Sequence, residues 1–544
     1  MLHIQNLSYS ISGRPLFENA NATIAKNYHV GFVGRNGAGK STLFRLILGS
    51  IHPDKGEVSV QKGATIGTVA QETPSGSLTC LEFVLKSDKE RTHLLELTET
   101  ETDPTKLGDI YDRLLEIDAY SAPAKASKIL VGLGFSEEMQ HQSLDSFSGG
   151  WKMRVALATA LFLEPDLLLL DEPSNHLDLE TTLWLVNYLK SYPKTLVIIS
   201  HDRYLLNAAV DRILHLNHKS LSIYTGNYDT FIKTRAEQKR VLEAAQKKQQ
   251  AERAHVQKFV DRFRFKASKA KQVQSRIKKL EKLEQFSDVR DDPTLALHFP
   301  EPETLPPPLI TLEKVSAGYG EKVVLTNLNQ RIDFGDRIAL LGANGNGKST
   351  FAKLIAGALA PLKGERKCLP QLRIGFFHQH QLEGLIPKKT AYDHLVALMN
   401  KSTPTQVRSY LGTFGFGQAK ADIQVEKLSG GEKARLNLAI LCYHKPQILI
   451  LDEPTNHLDM ETREALIFAI NEFPGAVILI THDWHLLELT ADTLWIAENK
   501  TVKPFDGSLD EYRQLITGSS SKAPGSSQKE PKNVNKEQKK KSKK

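Results

Sequence analysis

Two glycine-rich stretches carry residues suited to holding phosphate: Gly34-Arg35-Asn36-Gly37-Ala38-Gly39-Lys40-Ser41-Thr42 and Gly342-Ala343-Asn344-Gly345-Asn346-Gly347-Lys348-Ser349-Thr350. Each fits G-x-x-x-x-G-K-S, follows an apolar strand (Val30 to Val33; Ile338 to Leu341) and opens a helix (Thr42 to Leu48; Thr350 to Ala356). In that setting the glycines let backbone N–H groups face the β- and γ-phosphates of a nucleotide. The helix N-terminus adds a positive dipole end, and Lys40 or Lys348 adds a full charge. Ser41 and Ser349 can place a hydroxyl on Mg²⁺, with Gln71 and Gln379 beside the same ion. Asp171 and Asp452 are suited to hold the metal through water, and Glu172 and Glu453 to polarise the attacking water. His201 and His482 are placed to touch the γ-phosphate. The chemistry these residue types imply is ATP hydrolysis, expected at two Mg²⁺-dependent sites.

Two apolar strands per site must position these groups. Leu167 to Leu170 and Ile448 to Leu451 read as buried parallel strands ending in the carboxylate pairs. The strands ending at His201 and His482 are expected beside them. Taken singly, either histidine would be read as structural, and a lone phosphate-loop pattern as weak. The ordered set reverses both readings.

The set is a repeat. Lys40 to Lys348 and Gln71 to Gln379 are both 308 residues apart, whereas Ser148 to Ser429, Glu172 to Glu453 and His201 to His482 are all 281. The 27-residue change places one insertion in the first copy, expected at about 85–124. The fold expected is α/β: two phosphate-loop cassettes in tandem, 1–231 and 309–516, joined by an α-helical hairpin over 232–292 and an extended proline-rich connection over 293–308.

Composition sets outer bounds. With 40% apolar and 25% charged residues the chain is globular in type. Its richest apolar run, Leu161 to Leu170, is broken by Glu164, Pro165 and Asp166, short of the ~18 residues of a membrane helix. The start, MLHIQNLSYS, lacks a signal-peptide pattern. A soluble, cytoplasmic protein without a membrane partner is expected, and transport is excluded except as a detached motor. Cys80, Cys368 and Cys442 lack metal-type spacing.

Charge is segregated. Ile232 to Glu284 holds 17 basic against 6 acidic residues, an excess larger than the +8 of the whole chain. A lysine-rich, low-complexity tail, 517–544, is expected to be disordered. The cassette bodies are therefore acidic, and hairpin and tail are suited to a polyanion. At the expected hairpin tip Arg262, Arg264, Lys266, Lys269, Lys271 and Arg276 mingle with Phe263 and Phe265, a mixture fitting phosphates and exposed bases. A solvated charged coil, or a dock for an acidic protein, is the plainer alternative.

The order of phosphate loop, glutamine, Ser-Gly-Gly, carboxylate pair and histidine resembles that of ATP-binding cassette proteins. The basic linker, the first-cassette insertion and the phrases Phe147-Ser148-Gly149-Gly150-Trp151-Lys152-Met153-Arg154 and Asp171-Glu172-Pro173-Ser174-Asn175-His176-Leu177-Asp178 narrow this. They resemble the ABC-F ATPases, most closely the bacterial Uup/YheS-like branch, over about residues 1–516.

The resemblance implies head-to-tail closure of the two cassettes within one monomeric chain. ATP at Lys40 is then completed by Ser429 and Gly431, and ATP at Lys348 by Ser148 and Gly150. It also implies adenine stacking on Tyr319, although the first copy has Ile11 at that position. A coiled coil that many members carry at the C-terminus has no counterpart in the lysine tail. Finally, it implies a ribosome partner: an ATP-closed form in the tRNA exit site, its linker reaching peptidyl-tRNA and rRNA, released by hydrolysis to regulate or rescue translation. A hairpin arm of about 30 residues spans on the order of 45 Å, enough for that reach. The alternative class is a DNA-associated ATPase of repair or chromosome type, and a scaffold that never hydrolyses is a third.

Overall fold

The apolar runs beside the phosphate loops form the centres of two six-stranded sheets of one strand order. The computed structural model describes residues 1–69, 74–175, 177–241, 244, 297–378, 384–456 and 458–516. The first sheet runs Ile66–Thr68, Leu167–Asp171, Thr195–Ile199, His29–Gly34, Arg212–Asn217, Ser220–Thr225. The second runs Ile374–Phe377, Ile448–Asp452, Ala476–Ile480, Arg337–Leu341, Thr493–Glu498, Thr501–Phe505. All neighbours are parallel except the last pair in each, an antiparallel hairpin. A parallel strand covered on both faces must be apolar at every position, and Leu167 to Leu170 and Ile448 to Leu451 are wholly buried. The expected adjacency holds: the carboxylate strand pairs with the strand leading to the histidine in both cassettes. The phosphate loop, carboxylate pair and histidine thus converge at the carboxyl ends of neighbouring strands, where open α/β sheets bind ligands.

A smaller antiparallel sheet covers each phosphate-loop helix. In the first cassette it is Arg14–Ile24, Leu2–Ile11 and Lys55–Val60; in the second, Lys322–Leu328, Ile310–Tyr319 and Lys363–Cys368, with the short strand Arg331–Ile332 as a fourth member paired to Ile310–Tyr319. Gly56 and Gly364 sit at the same place in both. Each has a left-handed φ (+81° and +80°), and a Cβ there would lie 2.3 or 2.4 Å from a backbone oxygen, so only glycine fits.

The helical layers also match: Cys80–Lys86, Ala122–Gly132 and Gly149–Phe162 against Ala391–Leu398, Pro404–Gly412 and Gly430–Cys442. Thr79 and Thr390 both form capping boxes at corresponding helix starts. The extra segment of the first cassette is a helical hairpin, Lys89–Thr100 and Pro104–Glu116, tied by Arg113 to Glu90 at 2.7 Å. It lies inside the expected range, whose outer ends belong to duplicated helices.

Residues 228–241 are helical, and Tyr228 and Phe231 bury the foot of this helix against His215 and Tyr224 of the first cassette. The rest of the expected basic hairpin lies outside the described residues, as do its tip (Arg262, Arg264, Lys266, Lys269, Lys271, Arg276) and the tail 517–544. The described part of the proline-rich connection is more than a spacer. Leu297 and Phe299 enter the second cassette's core, where Phe299 meets Phe414 and Phe473, and Leu305 joins a second cluster. Beyond Phe505 a separate compact unit begins, whose described helix is Leu509–Ile516. Among the described residues no helix is long and apolar enough to cross a membrane.

Candidate nucleotide sites between the cassettes

The first site is a cavity of about 570 Å³ whose wall comes from both cassettes. Asn36, Gly37, Gly39, Lys40, Ser41, Thr42, Asp171, Glu172 and His201 line it from the first, and Ser429, Gly430 and Arg463 from the second. Ser429 and Gly430 of the second cassette line this cavity, in keeping with the head-to-tail arrangement that the resemblance implies, and Gly431 is the next, buried residue of the same helix. Ile11 and Arg14 form the wall where the resemblance would put an adenine-stacking ring.

Within the cavity the lysine is folded back on its own loop. Lys40 Nζ donates to Gly34 O at 2.7 Å and Arg35 O at 3.2 Å, and lies 3.5 Å from His201 Nε2. Burial pulls its proton affinity down, opposed by Glu172, by Asp459 of the other cassette and by Asp171. An arriving phosphate would supply the missing counter-charge. His201 Nε2 stands 2.9 Å from Asn36 Oδ1 and 3.6 Å from Glu172 Oε1. Burial, reinforced by Lys40, holds its pKa near 3, so the ring is neutral at physiological pH.

Glu172 adopts a left-handed φ of +48°, and Glu453 one of +53°. Strain at the same place in both copies is what a site imposes on its backbone. Each is fixed by its N–H donating 2.8 Å to the strand that carries the histidine, at Ile199 O or Ile480 O. Burial pushes Glu172 up to about 7 and Glu453 up to about 8. Each also has a buried Oε1 without a hydrogen-bond partner, as does His201 at Nδ1. Buried orphan acceptors are costly, and orphans converging beside a phosphate loop fit a water, a metal-bound water or a phosphate. The donor set thus suits Mg²⁺ and a triphosphate.

The second site repeats the plan. Lys348 Nζ donates to Gly342 O (2.5 Å) and Ala343 O (3.2 Å), with Asn344 Oδ1 at 3.4 Å. Ser349 Oγ donates to Asp452 Oδ2 at 3.1 Å, the pairing expected of two Mg²⁺ ligands. His482 Nε2 is 3.4 Å from Glu453 Oε1, and burial holds its pKa near 3. Gly345, Gly347 and Thr350 complete the loop; Gly347 caps the helix at φ +91°. Asp178 and Glu180 of the first cassette act on Lys348, as Asp459 acts on Lys40. Tyr319 is half exposed, with Lys353 Nζ 5.6 Å from its ring centre. Ser148 starts its helix without a side-chain cap, whereas Ser429 is engaged with Glu432 in a capping box. Gln71 and Gln379 lie outside the described residues.

Three features of the seam had no counterpart in the sequence reading. Arg35 meets Glu461 of the second cassette at 3.1 Å. Arg203 bonds Asp229, at the foot of the linker helix, at 2.8 Å, and across the seam Glu464 at 3.2 Å and His485 at 2.9 Å. Arg463 lies in the first site's wall. None is duplicated: the 281- and 308-residue offsets give Ala343 for Arg35, Trp484 for Arg203 and Thr182 for Arg463. Only that mismatch between copies could have flagged them.

Comparison with known proteins agrees with the geometry. A family model described as ABC transporter matches residues 17–175 and 325–456, and a further model with that description matches 214–299. The chain is 44% identical over 520 residues to "Probable ATP-binding protein YheS" of Escherichia coli strain K12, covering 95% of this chain and 82% of that one. It is 40% identical to "ABC transporter F family member 3" of Arabidopsis thaliana, covering 95% and 76%. Human "ATP-binding cassette sub-family F member 3" is 40% identical, covering 95% and 74%. Among solved structures, "RNase-L Inhibitor" aligns with a TM-score of 0.60 at 19% identity over 95% of this chain and 92% of that one. An archaeal ribosome recycling factor, aABCE1, in complex with the stalk protein aP1 aligns with a TM-score of 0.60 at 19% identity, covering 94% and 92%. These structural likenesses speak to the fold.

Proposed function

Because the chain belongs to the ABC-F family of tandem-cassette ATP-binding proteins, we propose that it is an ATP hydrolase that closes on two nucleotides and acts on the ribosome. The observation that carries the reading is the cavity at Lys40, whose wall the second cassette completes through Ser429 and Gly430. A site shared this way holds nucleotide tightly only when the cassettes are together, so ATP binding drives closure by differential affinity.

The residues take these roles. Lys40 and Lys348 move from their loop carbonyls to the phosphates. Ser41 with Asp171, and Ser349 with Asp452, would hold Mg²⁺, with Gln71 and Gln379 proposed beside it, and the ion would supply positive charge against the triphosphate. Glu172 and Glu453 orient the attacking water, each accepting from the N–H of the histidine that follows it in space. Neutral His201 and His482 offer a ring N–H to the γ-phosphate. Tyr319 stacks on adenine at the second site and Ile11 gives apolar contact at the first. Hydrolysis removes the group that both cassettes hold, and the clamp opens.

The ribosomal part rests on family membership and on the basic linker of Ile232 to Glu284. Proteins of like fold include an archaeal ribosome recycling factor in complex with the stalk protein aP1 and a ribosome-bound archaeal ABCE1. The closed form would occupy the exit site, its linker facing peptidyl-tRNA and rRNA through Arg262, Arg264, Lys266, Lys269, Lys271 and Arg276, in the cytoplasm. The test is co-sedimentation with ribosomes and ATP of the Glu172→Gln/Glu453→Gln variant, with and without residues 263–274. Nucleotide-dependent pelleting of both forms is expected, with peptide-bond formation affected only when the tip is present. Pelleting that ignores nucleotide, or binding to duplex DNA instead, would overturn the ribosomal reading.

A further inference from the structure

Site 1 and site 2 share their phosphate-loop lysines, carboxylate pairs and histidines, and Arg154 of the first cassette acts on His482 at site 2, yet Arg463, which reaches site 1 from the opposite cassette, has no duplicate. Arg463 opens the second turn of the helix Met460–Glu472 and lies in the cavity wall with Lys40, Glu172 and His201. Its guanidinium is held in place: Nη1 donates to Asp483 Oδ2 at 3.0 Å and Nε to Leu458 O at 3.2 Å. Nη2 is the remaining nitrogen of that fork. The side chain is 13% exposed, so its charge is little screened. Its field is felt across the seam: of the groups that oppose burial at Glu172, Arg463 stands first, ahead of Lys40. At site 2 the same helix position is Thr182, a buried neutral residue. Glu453 accordingly has Lys348 of its own cassette as the leading cation opposing its burial.

We propose that Arg463 is a positioning residue acting in trans on site 1, where its fixed guanidinium braces the terminal phosphate and the Glu172 side, so that site 1 retains ATP longer than site 2. A planar, pre-organised fork suits a phosphate oxygen, and its bonds to Asp483 and Leu458 spare it the cost of being ordered at closure. The proposal rests on the closed, ATP-holding clamp described above and adds that the two sites are unequal.

The test uses the full chain carrying Glu172→Gln and Glu453→Gln, loaded with radiolabelled 8-azido-ATP and chased with unlabelled ATP. Photolysis at intervals followed by peptide mapping separates label near Ile11 and Arg14 from label near Tyr319, and so times each site. In the parent, site 1 should retain label longer. Adding Arg463→Met should shorten retention at site 1 about tenfold or more and leave site 2 within about twofold. Arg463→Lys, which keeps charge without the fork, should fall between. Because Asp483 adjoins His482, a merely structural arginine would shorten retention at site 2 equally or more, and that result overturns the proposal. So does no change at either site. A parent that retains label at neither site removes the closed-clamp reading itself and this proposal with it.

Discussion

Glu453→Gln, usually chosen to stop hydrolysis, should also change how stability depends on pH. The Glu453 side chain is largely buried, with Oε1 shut off from solvent, and burial, with Asp452 adding to it, pushes its pKa from an ordinary 4.5 to about 8. An acid with a raised folded-state pKa keeps a proton that the unfolded chain has released. Stability is then fully present below pH 4.5 and declines as pH rises through 8. At about 1.4 kcal/mol per pKa unit the decline is on the order of 5 kcal/mol for Glu453. Glu172, raised to about 7, gives on the order of 3 kcal/mol. A glutamine of the same shape carries no such penalty. Nucleotide-free parent and Glu453→Gln proteins should unfold alike at pH 5 and differ at pH 9, the variant melting on the order of 10 °C higher. Differential scanning calorimetry at the two pH values measures it. His201 and His482, held near pKa 3, lower stability as pH falls below 6.5, but equally in both proteins. A gap of the same size at both pH values would refute the reasoning, since it would mean that water reaches the carboxylate when nucleotide is absent.

Three further outcomes follow from the geometry. Arg203→Ala removes a partly exposed link between the linker foot and the second cassette, worth about 1 kcal/mol. It should shorten retention of trapped ATP roughly fivefold at low salt and less at high salt, as filter binding would show. Tyr319→Ala should weaken nucleotide binding at site 2 by about tenfold, whereas Ile11→Ala should cost site 1 only a few-fold; site-resolved photolabelling separates them. Gly132→Ala would put a methyl 1.9 Å from Trp184 Cε2, so the indole must move. A loss of about 1–3 kcal/mol in the first cassette is expected on denaturant titration.

Much of the cassette was readable because its signals are local. A phosphate loop needs glycines and a lysine within a few residues, and a buried parallel strand needs an unbroken apolar run such as Leu167 to Leu170. The two offsets also placed the insertion. They did not show it as a two-helix hairpin tied by Arg113 and Glu90, since those residues are 23 apart and their pairing depends on the loop between. Nor did the proline cluster reveal that Leu297 and Phe299 enter the second core.

The sequence by itself determined the duplicated α/β cassettes, the order of catalytic groups and the segregation of positive charge into the linker, because backbone geometry fixes short spacings and composition fixes net charge. The tertiary structure alone decided the seam. Arg35 with Glu461, Arg203 with Glu464 and His485, and Arg463 beside Glu172 join residues more than 250 positions apart. Their meeting depends on how two folded surfaces close on each other, which no local pattern encodes. Duplication made the two sites alike, and the packing of one cassette on the other made them different.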